Sequence, residues 1–299
     1  MKTSLQLMWL LSAFLSSVTC TRSQAQISTD ISFYREDIIL KGKIYLPETA
    51  DAVPTVILLH GFPDDGDPLG LGKKLSEAGI NVLTFNISGT YGSGGESNWD
   101  NTQKDIQAAF KFINQPDNII KYKIDTGNLY LAGYSYGGGM ALTYAASNPE
   151  VKSVFTVSGN DHGAFMREYS RNPELRQMID NIFNEFRNRP EIVRFGPGGT
   201  PKEVAEMKFM ENNPEYDLIY CAPKLAAKNI FLIGGWDDWQ VSIENVVLPL
   251  YRALMKEGAK NVKISAFQDN HLFKHSRDEI AQVIIEWIKS TTQKNQRDL

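Results

Sequence analysis

Cysteine and histidine are scarce in this chain of 299 residues, which contains two cysteines and four histidines. The cysteines are unpaired in sequence and the histidines are scattered, so nothing has the spacing of a metal-ligand motif and we expect no metal or cofactor. Basic residues form no cluster: 31 Lys and Arg are interspersed with 35 Asp and Glu, for a formal net charge of -4. A nucleic-acid partner, which requires a basic stripe, is therefore not expected.

Charge is absent from residues 3–21, and this stretch differs from the rest of the chain. Lys2 precedes an apolar stretch over residues 5–18, and Ser23-Gln24-Ala25 offers small residues at the two positions that a signal peptidase recognises. We predict a signal peptide over residues 1–25, cleaved after Ala25, and hence a secreted or periplasmic protein without stable membrane insertion. An uncleaved membrane anchor is the alternative, although serine, threonine and glutamine dilute the apolar stretch.

Cleavage after Ala25 also removes Cys20, which leaves Cys221 alone and no internal disulfide. A lone thiol without a motif is typical of a buried packing residue. A second hypothesis for the N-terminus is a lipoprotein anchored at Cys20. The residues before it, Ser17-Val18-Thr19, resemble a lipidation signal poorly.

After residue 30, apolar segments typical of strands alternate with segments typical of helices. Residues 31–46 predict an antiparallel hairpin, and the continuous apolar run over residues 53–59 is typical of a parallel strand buried on both faces. The Thr102-x-x-Asp105 spacing predicts a capping box at the start of a helix that ends near Pro116. Repeated alternation predicts an α/β domain over residues 26–299: a mostly parallel eight-stranded sheet with helices on both faces. The further predicted strands cover residues 80–85, 129–132, 151–157, 230–233 and 262–267. Further helices are predicted over residues 136–147 and 242–257, and a final helix is predicted after Ser276.

Residues 160–224 interrupt this alternation and contain no convincing strand. Six apolar side chains between Leu175 and Phe186 fall on one helical face, and a second short helix is predicted over residues 202–211. An insertion of this length between two sheet strands is uncommon and usually functional. We interpret it as a helical cap over the site, because its apolar face must cover something; a surface decoration is the alternative.

Gly133-Tyr134-Ser135-Tyr136-Gly137 lies between a predicted strand and a predicted helix. A G-x-S-x-G sequence in this context is a nucleophile elbow, in which a sharp turn presents the serine hydroxyl at the carboxyl edge of the sheet. Glycines are needed because a Cβ atom would collide with neighbouring backbone. Ser135 is therefore the candidate nucleophile.

A serine hydroxyl needs a base, and the base needs an acid that fixes its tautomer. His271 follows the last predicted strand and reaches the same edge as Ser135, whereas His275 lies near a helix start. Asp237 and Asp238 both follow the strand over residues 230–233, and the chemistry of the side chains leaves the choice between them open.

Two backbone N–H groups are expected to bind the oxyanion that forms in such a reaction. One belongs to Tyr136, directly after the nucleophile, and the other to Phe62, in the His60-Gly61-Phe62 loop after the strand over residues 53–59. His60 is expected to be structural. The glycine-rich loop over residues 86–97 lacks the G-K-[ST] of a phosphate loop and is expected to form a wall of the pocket.

These motifs together resemble the α/β-hydrolase superfamily over roughly residues 30–290. Gly235-x-x-Asp238-x-x-Val241 is similar to the acid loop of the superfamily, and this alignment selects Asp238 over Asp237. The chain departs from the usual motifs at Ser88, where arginine is common, and at Asn270, where glycine is common.

The resemblance implies a serine hydrolase that cleaves carboxylic esters, or a peptide-type substrate, through an acyl-enzyme on Ser135, with Asp238 and His271 completing the triad. Residues 134–138 also resemble the prolyl-oligopeptidase branch, so a serine peptidase or amidase is the alternative. That branch carries an N-terminal propeller, which the roughly 30 residues before the first core strand do not provide. A non-catalytic binding protein on the same fold is a third hypothesis.

Overall fold

The computed structural model describes residues 27–297, and the predicted signal peptide and Cys20 lie outside this range. Its centre is one eight-stranded sheet with the order β1-β2-β4-β3-β5-β6-β7-β8. β1 and β2 are antiparallel to their neighbours, and all other pairs are parallel. The strands are β1 (Ile27–Arg35), β2 (Ile38–Leu46), β3 (Val53–Leu59), β4 (Asn81–Phe85), β5 (Ile124–Tyr134), β6 (Ser153–Val157), β7 (Asn229–Gly235) and β8 (Val262–Phe267). The predicted α/β architecture and its antiparallel edge are confirmed.

Helices cover both faces of the sheet because alternate residues of the strands point to opposite sides. In β5, Leu131 belongs to one buried apolar cluster, and Tyr130 and Ala132 belong to the other. The helices are α1 (Leu71–Glu77), α2 (Trp99–Ile113), α3 (Pro116–Tyr122), α4 (Tyr136–Ser147), α5 (His162–Arg171), α6 (Pro173–Arg187), α7 (Pro201–Glu206), α8 (Phe209–Asn212), α9 (Leu218–Leu225), α10 (Leu248–Lys256) and α11 (Arg277–Arg297). α1 and α11 pack on one face, and α2, α4, α9 and α10 pack on the other.

The predicted capping box at Thr102 is wrong. α2 begins three residues earlier, and the side chain of Asn98 caps it by accepting a hydrogen bond from the Asn101 N–H at 2.7 Å. Asn is among the best N-cap residues, and Thr102 therefore lies inside the helix, where its hydroxyl contacts that of Tyr136. α2 ends at Ile113, near Pro116 as predicted, and Pro116 begins α3, since proline is well suited to a first helical turn.

Residues 160–224 contain α5 to α9 and no strand, as the sequence indicates. The predicted apolar face over residues 175–186 lies on α6, and the second predicted helix is divided into α7 and α8. No helix within residues 27–297 is both long enough and apolar enough to cross a membrane.

A buried ionic cluster joins β1, α2 and the glycine-rich loop. The Asp105 carboxylate accepts hydrogen bonds from the N–H and the hydroxyl of Ser88, each at 2.7 Å, and lies 2.8 Å from the Arg35 guanidinium. Burial raises the pKa of Asp105 to about 6, although the Ser88 bonds and the Arg35 charge oppose this shift. Since Asp105 and Arg35 are both buried, each depends on the other for its charge compensation.

We predict that Asp105→Ala lowers the free energy of unfolding by about 3–5 kcal/mol, because it leaves the Arg35 guanidinium buried and uncompensated. Urea unfolding measures this loss. The control is Glu77→Ala, which removes the exposed Lys73–Glu77 pair and is expected to cost less than about 1 kcal/mol. Equal costs for the two substitutions would show that the Asp105 cluster is not a stabilising link.

Candidate active site

Ser135 lies at a strained turn between β5 and α4. Its backbone has φ 54° and ψ -121°, an unfavourable conformation for a residue with a side chain. A Cβ atom on Gly133 would lie 2.3 Å from the Gly137 backbone, and one on Gly137 would lie 2.4 Å from the His60 carbonyl oxygen. Both glycines of the predicted elbow are therefore required for the chain to turn this sharply and present the serine.

The loops after β5, β7 and β8 bring together Ser135, Asp238 and His271. The Nε2 atom of His271 lies 2.9 Å from the Ser135 Oγ atom, and its Nδ1 atom lies 2.8 Å from the Asp238 Oδ2 atom. Asp238 is 2% exposed and His271 is 8% exposed, so the polar chain leads from the interior to the half-buried serine. The carboxyl ends of parallel strands meet at one edge, which explains why these distant residues converge.

The environment of Asp238 keeps its carboxylate ionised. Burial raises the pKa of Asp238, but the hydrogen bond and charge of His271, together with hydrogen bonds from the Val241 N–H and the Ser158 hydroxyl, outweigh it and hold this pKa below its usual range. Asp237 is exposed and accepts a hydrogen bond from the Gln268 side chain at 2.8 Å. Between the two aspartates, Asp238 is therefore the one that contacts the imidazole.

Further side chains hold the histidine loop in place. The Tyr134 hydroxyl donates to the His271 carbonyl oxygen at 2.7 Å. The Asp269 carboxylate accepts from the backbone N–H groups of His275 and Ser276 at 2.8 and 3.1 Å. Nothing in the sequence indicates these contacts of Tyr134, Asp269 and Ser158, because their partners lie on other strands or later turns.

The candidate oxyanion residues lie on the two loops that flank the serine. A Cβ atom on Gly61 would be 3.4 Å from the Ser135 Cβ atom, so the loop before Phe62 runs beside Ser135. Neither the Phe62 nor the Tyr136 N–H donates to another backbone group among residues 27–297. His60 is buried and its Nδ1 atom contacts the Gly61 carbonyl oxygen at 2.7 Å. Burial lowers the pKa of His60, which favours the neutral ring.

The helical insertion contacts both the glycine-rich loop and the Phe62 loop. Arg194 donates to the carbonyl oxygens of Ser93 and Gly95, and short β-bridges join Thr90 to Val193 and Ser97 to Phe195. These bonds fix the glycine-rich loop beneath the insertion.

Three phenylalanine rings form the contact between the insertion and the Phe62 loop; we call Phe62, Phe183 and Phe195 the aromatic cluster. The Phe62 ring stacks on Phe183 of α6, with centroids 5.8 Å apart and planes at 13°, and lies 6.0 Å from Phe195. It also lies 5.4 Å from the Tyr136 ring. All three rings of the cluster are only half-buried. An apolar, accessible surface therefore adjoins the two candidate oxyanion residues.

Comparisons with known proteins agree with this fold. The family model described as alpha/beta hydrolase fold matches residues 54–195. Cutinase 2 of Thermobifida cellulosilytica and cutinase cut1 of Thermobifida fusca are each 24% identical over 119 residues, or 39% of this chain. The matched region spans 44% of the first cutinase and 36% of the second, less than half the length of either relative.

Solved structures match nearly the whole chain. Est1E from Butyrivibrio proteoclasticus superposes with a TM-score of 0.63 at 18% identity, covering 88% of this chain and 99% of its own. The Pyrococcus horikoshii acylaminoacyl peptidase superposes with a TM-score of 0.62 at 18% identity, covering 90% of this chain and 42% of its own. These matches show that the chain has the α/β-hydrolase fold.

Proposed function

We propose that this protein is a serine hydrolase that cleaves carboxylic esters, with Ser135 as nucleophile, His271 as base and Asp238 as the acid that orients the base. The observation that carries the proposal is the continuous contact from the Ser135 Oγ atom through the imidazole to the Asp238 carboxylate, at 2.9 and 2.8 Å. A serine hydroxyl gains nucleophilic strength only beside a base held in this way.

In the proposed reaction, the Ser135 Oγ atom attacks the ester carbonyl carbon while the His271 Nε2 atom accepts the hydroxyl proton. The Asp238 carboxylate accepts a hydrogen bond from the Nδ1–H group, which fixes the tautomer of His271 and stabilises the imidazolium. The N–H groups of Phe62 and Tyr136 donate to the carbonyl oxygen as it becomes negative, and the N-terminus of α4 adds a favourable dipole. The imidazolium then protonates the leaving alcohol, and the acyl group remains on Ser135.

Water completes the cycle by the same steps in reverse. His271 removes a proton from a water molecule, which attacks the acyl carbon of the ester bond to Ser135. The tetrahedral intermediate collapses, the imidazolium returns the proton to the Ser135 Oγ atom, and the carboxylic acid leaves. No metal or cofactor takes part in this scheme.

Two observations favour esters over peptides. The curated relatives are cutinases. In addition, the aromatic cluster beside the candidate oxyanion residues is uncharged and offers no carboxylate for a substrate amino group. Peptide or amide hydrolysis by the same residues is the second candidate.

A panel of p-nitrophenyl acyl esters of increasing chain length, compared with aminoacyl p-nitroanilides, tests the proposal. We expect ester hydrolysis by the wild-type protein and a loss of about 10⁶-fold in kcat for Ser135→Ala. A higher kcat/KM for the anilides would replace the ester proposal with a peptidase. Absence of both activities, with no labelling of Ser135 by a fluorophosphonate, would favour a binding protein.

The two neighbouring aspartates provide an internal control. Asp238→Asn is expected to lower kcat by about 10⁴-fold, because an amide donor facing the Nδ1 atom favours the wrong tautomer of His271. Asp237→Asn changes an exposed side chain bonded to Gln268, and its kcat should stay near the wild-type value. Steady-state kinetics on one p-nitrophenyl ester measure both, and the reverse order would refute the assignment of the acid.

We further propose that the helical insertion is a cap whose aromatic cluster holds a bulky apolar group beside the ester carbonyl. The support is the stacking of Phe183 on Phe62, whose own N–H is a proposed oxyanion donor. The Arg187 guanidinium lies 6.0 Å from the centre of the Phe195 ring and is paired with the Glu203 carboxylate at 2.8 Å. A group bound at the oxyanion position therefore reaches an apolar surface.

Phe183→Ala should lower kcat/KM for esters of aromatic or long acyl chains by about 10-fold and leave acetyl esters nearly unchanged, since only larger groups reach the ring. Ile182→Ala is the control, because Ile182 lies on the same helix and is 38% exposed. Equal losses for short and long esters would contradict the proposed location of this group.

Export from the cytoplasm is also proposed, on the basis of the sequence of residues 1–25. The intact mass of the mature protein distinguishes the possibilities. A chain starting at Gln26 supports signal cleavage, and a lipid-modified Cys20 supports the lipoprotein.

A further inference from the structure

Ser158, directly after β6, contacts the proposed triad from a strand that carries none of its members. Its side chain is fully buried, and its hydroxyl donates to the Asp238 Oδ2 atom at 2.7 Å. The same oxygen atom faces the Nδ1 atom of His271 at 2.8 Å. The hydroxyl and the imidazole therefore share one carboxylate oxygen.

The backbone at Ser158 is unusual for a serine. Its φ is 45°, in the left-handed region where glycine is favoured. Its N–H donates to the Ile233 carbonyl oxygen at 2.7 Å and continues the pairing of β6 with β7, so the conformation is set by the sheet. Strained residues cluster at functional sites, and among residues 27–297 the hydrogen-bond partner of the Ser158 side chain is Asp238.

The remaining donors to Asp238 show what the hydroxyl adds. The Oδ1 atom accepts from the backbone N–H groups of Gln240 and Val241, each at 2.9 Å, which fixes one end of the carboxylate. In the part of the chain that the structure describes, the Oδ2 atom at the other end is held by Ser158 and His271. The titratable groups around it are His271 and Tyr134, whose phenol interacts with the Asp238 charge.

We propose that Ser158 is a positioning residue. Its hydroxyl fixes the rotation of the Asp238 carboxylate, so that the Oδ2 atom accepts a linear hydrogen bond from the His271 Nδ1–H group. The same hydroxyl also partly neutralises the negative charge on Oδ2. The inference rests on the proposed function for its kinetic consequence, but the geometry it describes exists without substrate. Without the hydroxyl, the imidazole would be the remaining donor to the Oδ2 atom, and this end of the carboxylate could rotate.

The test compares Ser158→Ala and Ser158→Gly with Ser153→Ala. Both Ser158 variants lose the hydroxyl, but glycine relieves the backbone strain and alanine does not. Ser153 is the matched control because it lies buried at the opposite end of β6, where its hydroxyl accepts from the Asn229 side chain at 3.1 Å.

For a p-nitrophenyl ester, we expect both Ser158 variants to lose about 10- to 100-fold in kcat, as for one hydrogen bond to a buried charge, with KM nearly unchanged. The acid limb of the pH profile of kcat/KM should move to higher pH by up to about one unit, since a less neutralised carboxylate stabilises the imidazolium more. Ser153→Ala should change neither quantity. Recovery of wild-type kcat and profile in Ser158→Gly would assign the effect to the backbone and overturn the proposal.

A second measurement needs no substrate. The low-field proton NMR signal of the Nδ1–H bond, assigned by its loss in Asp238→Asn, should shift in both Ser158 variants and stay in place in Ser153→Ala. An unchanged signal in the Ser158 variants refutes the positioning role, whatever the activity. Absence of ester hydrolysis and of fluorophosphonate labelling in the wild type refutes the proposed function, and the NMR comparison then still decides the role of Ser158.

Discussion

The site depends on the contact between the Asp238 carboxylate and the His271 imidazole, at 2.8 Å in a region closed to solvent. A buried carboxylate without donors would cost several kcal/mol, so the protein surrounds it with hydrogen bonds from two backbone N–H groups, a hydroxyl and the imidazole. This arrangement is available only because β6, β7 and β8 are parallel neighbours whose carboxyl ends meet at one edge. The order of the strands therefore determines which residues can meet in the site.

Much of the fold was predictable because its signals are local. The continuous apolar run of β3 and the glycines around Ser135 each have one simple structural explanation, and the eight strands follow from similar patterns. The capping box at Thr102 failed for the opposite reason, because two capping signals lie close together and Asn98 competes successfully for the helix start. Asp105, which that motif would have placed at a helix end, instead neutralises Arg35 in the interior.

The site was predictable only as far as its motifs extend. The residue types of Asp237 and Asp238 are identical, so the choice between them came from a resemblance, and the contact that distinguishes them depends on the turn after β7. Ser158, Tyr134 and Asp269 act through contacts with distant or later residues, and a single sequence contains no pattern that reveals such contacts. The aromatic cluster was unpredictable for the same reason. Its members Phe62, Phe183 and Phe195 come into contact only when the insertion folds over the Phe62 loop.

The most direct test of the central claim is a crystal structure of the protein after reaction with a small fluorophosphonate. We expect one phosphorus bonded to the Ser135 Oγ atom in place of fluoride, with its phosphoryl oxygen about 2.7–3.1 Å from the N–H groups of Phe62 and Tyr136. His271 should remain between the phosphonyl group on Ser135 and the Asp238 carboxylate. A phosphonyl group on any other residue, or a phosphoryl oxygen directed away from both N–H groups into solvent, would contradict the central claim.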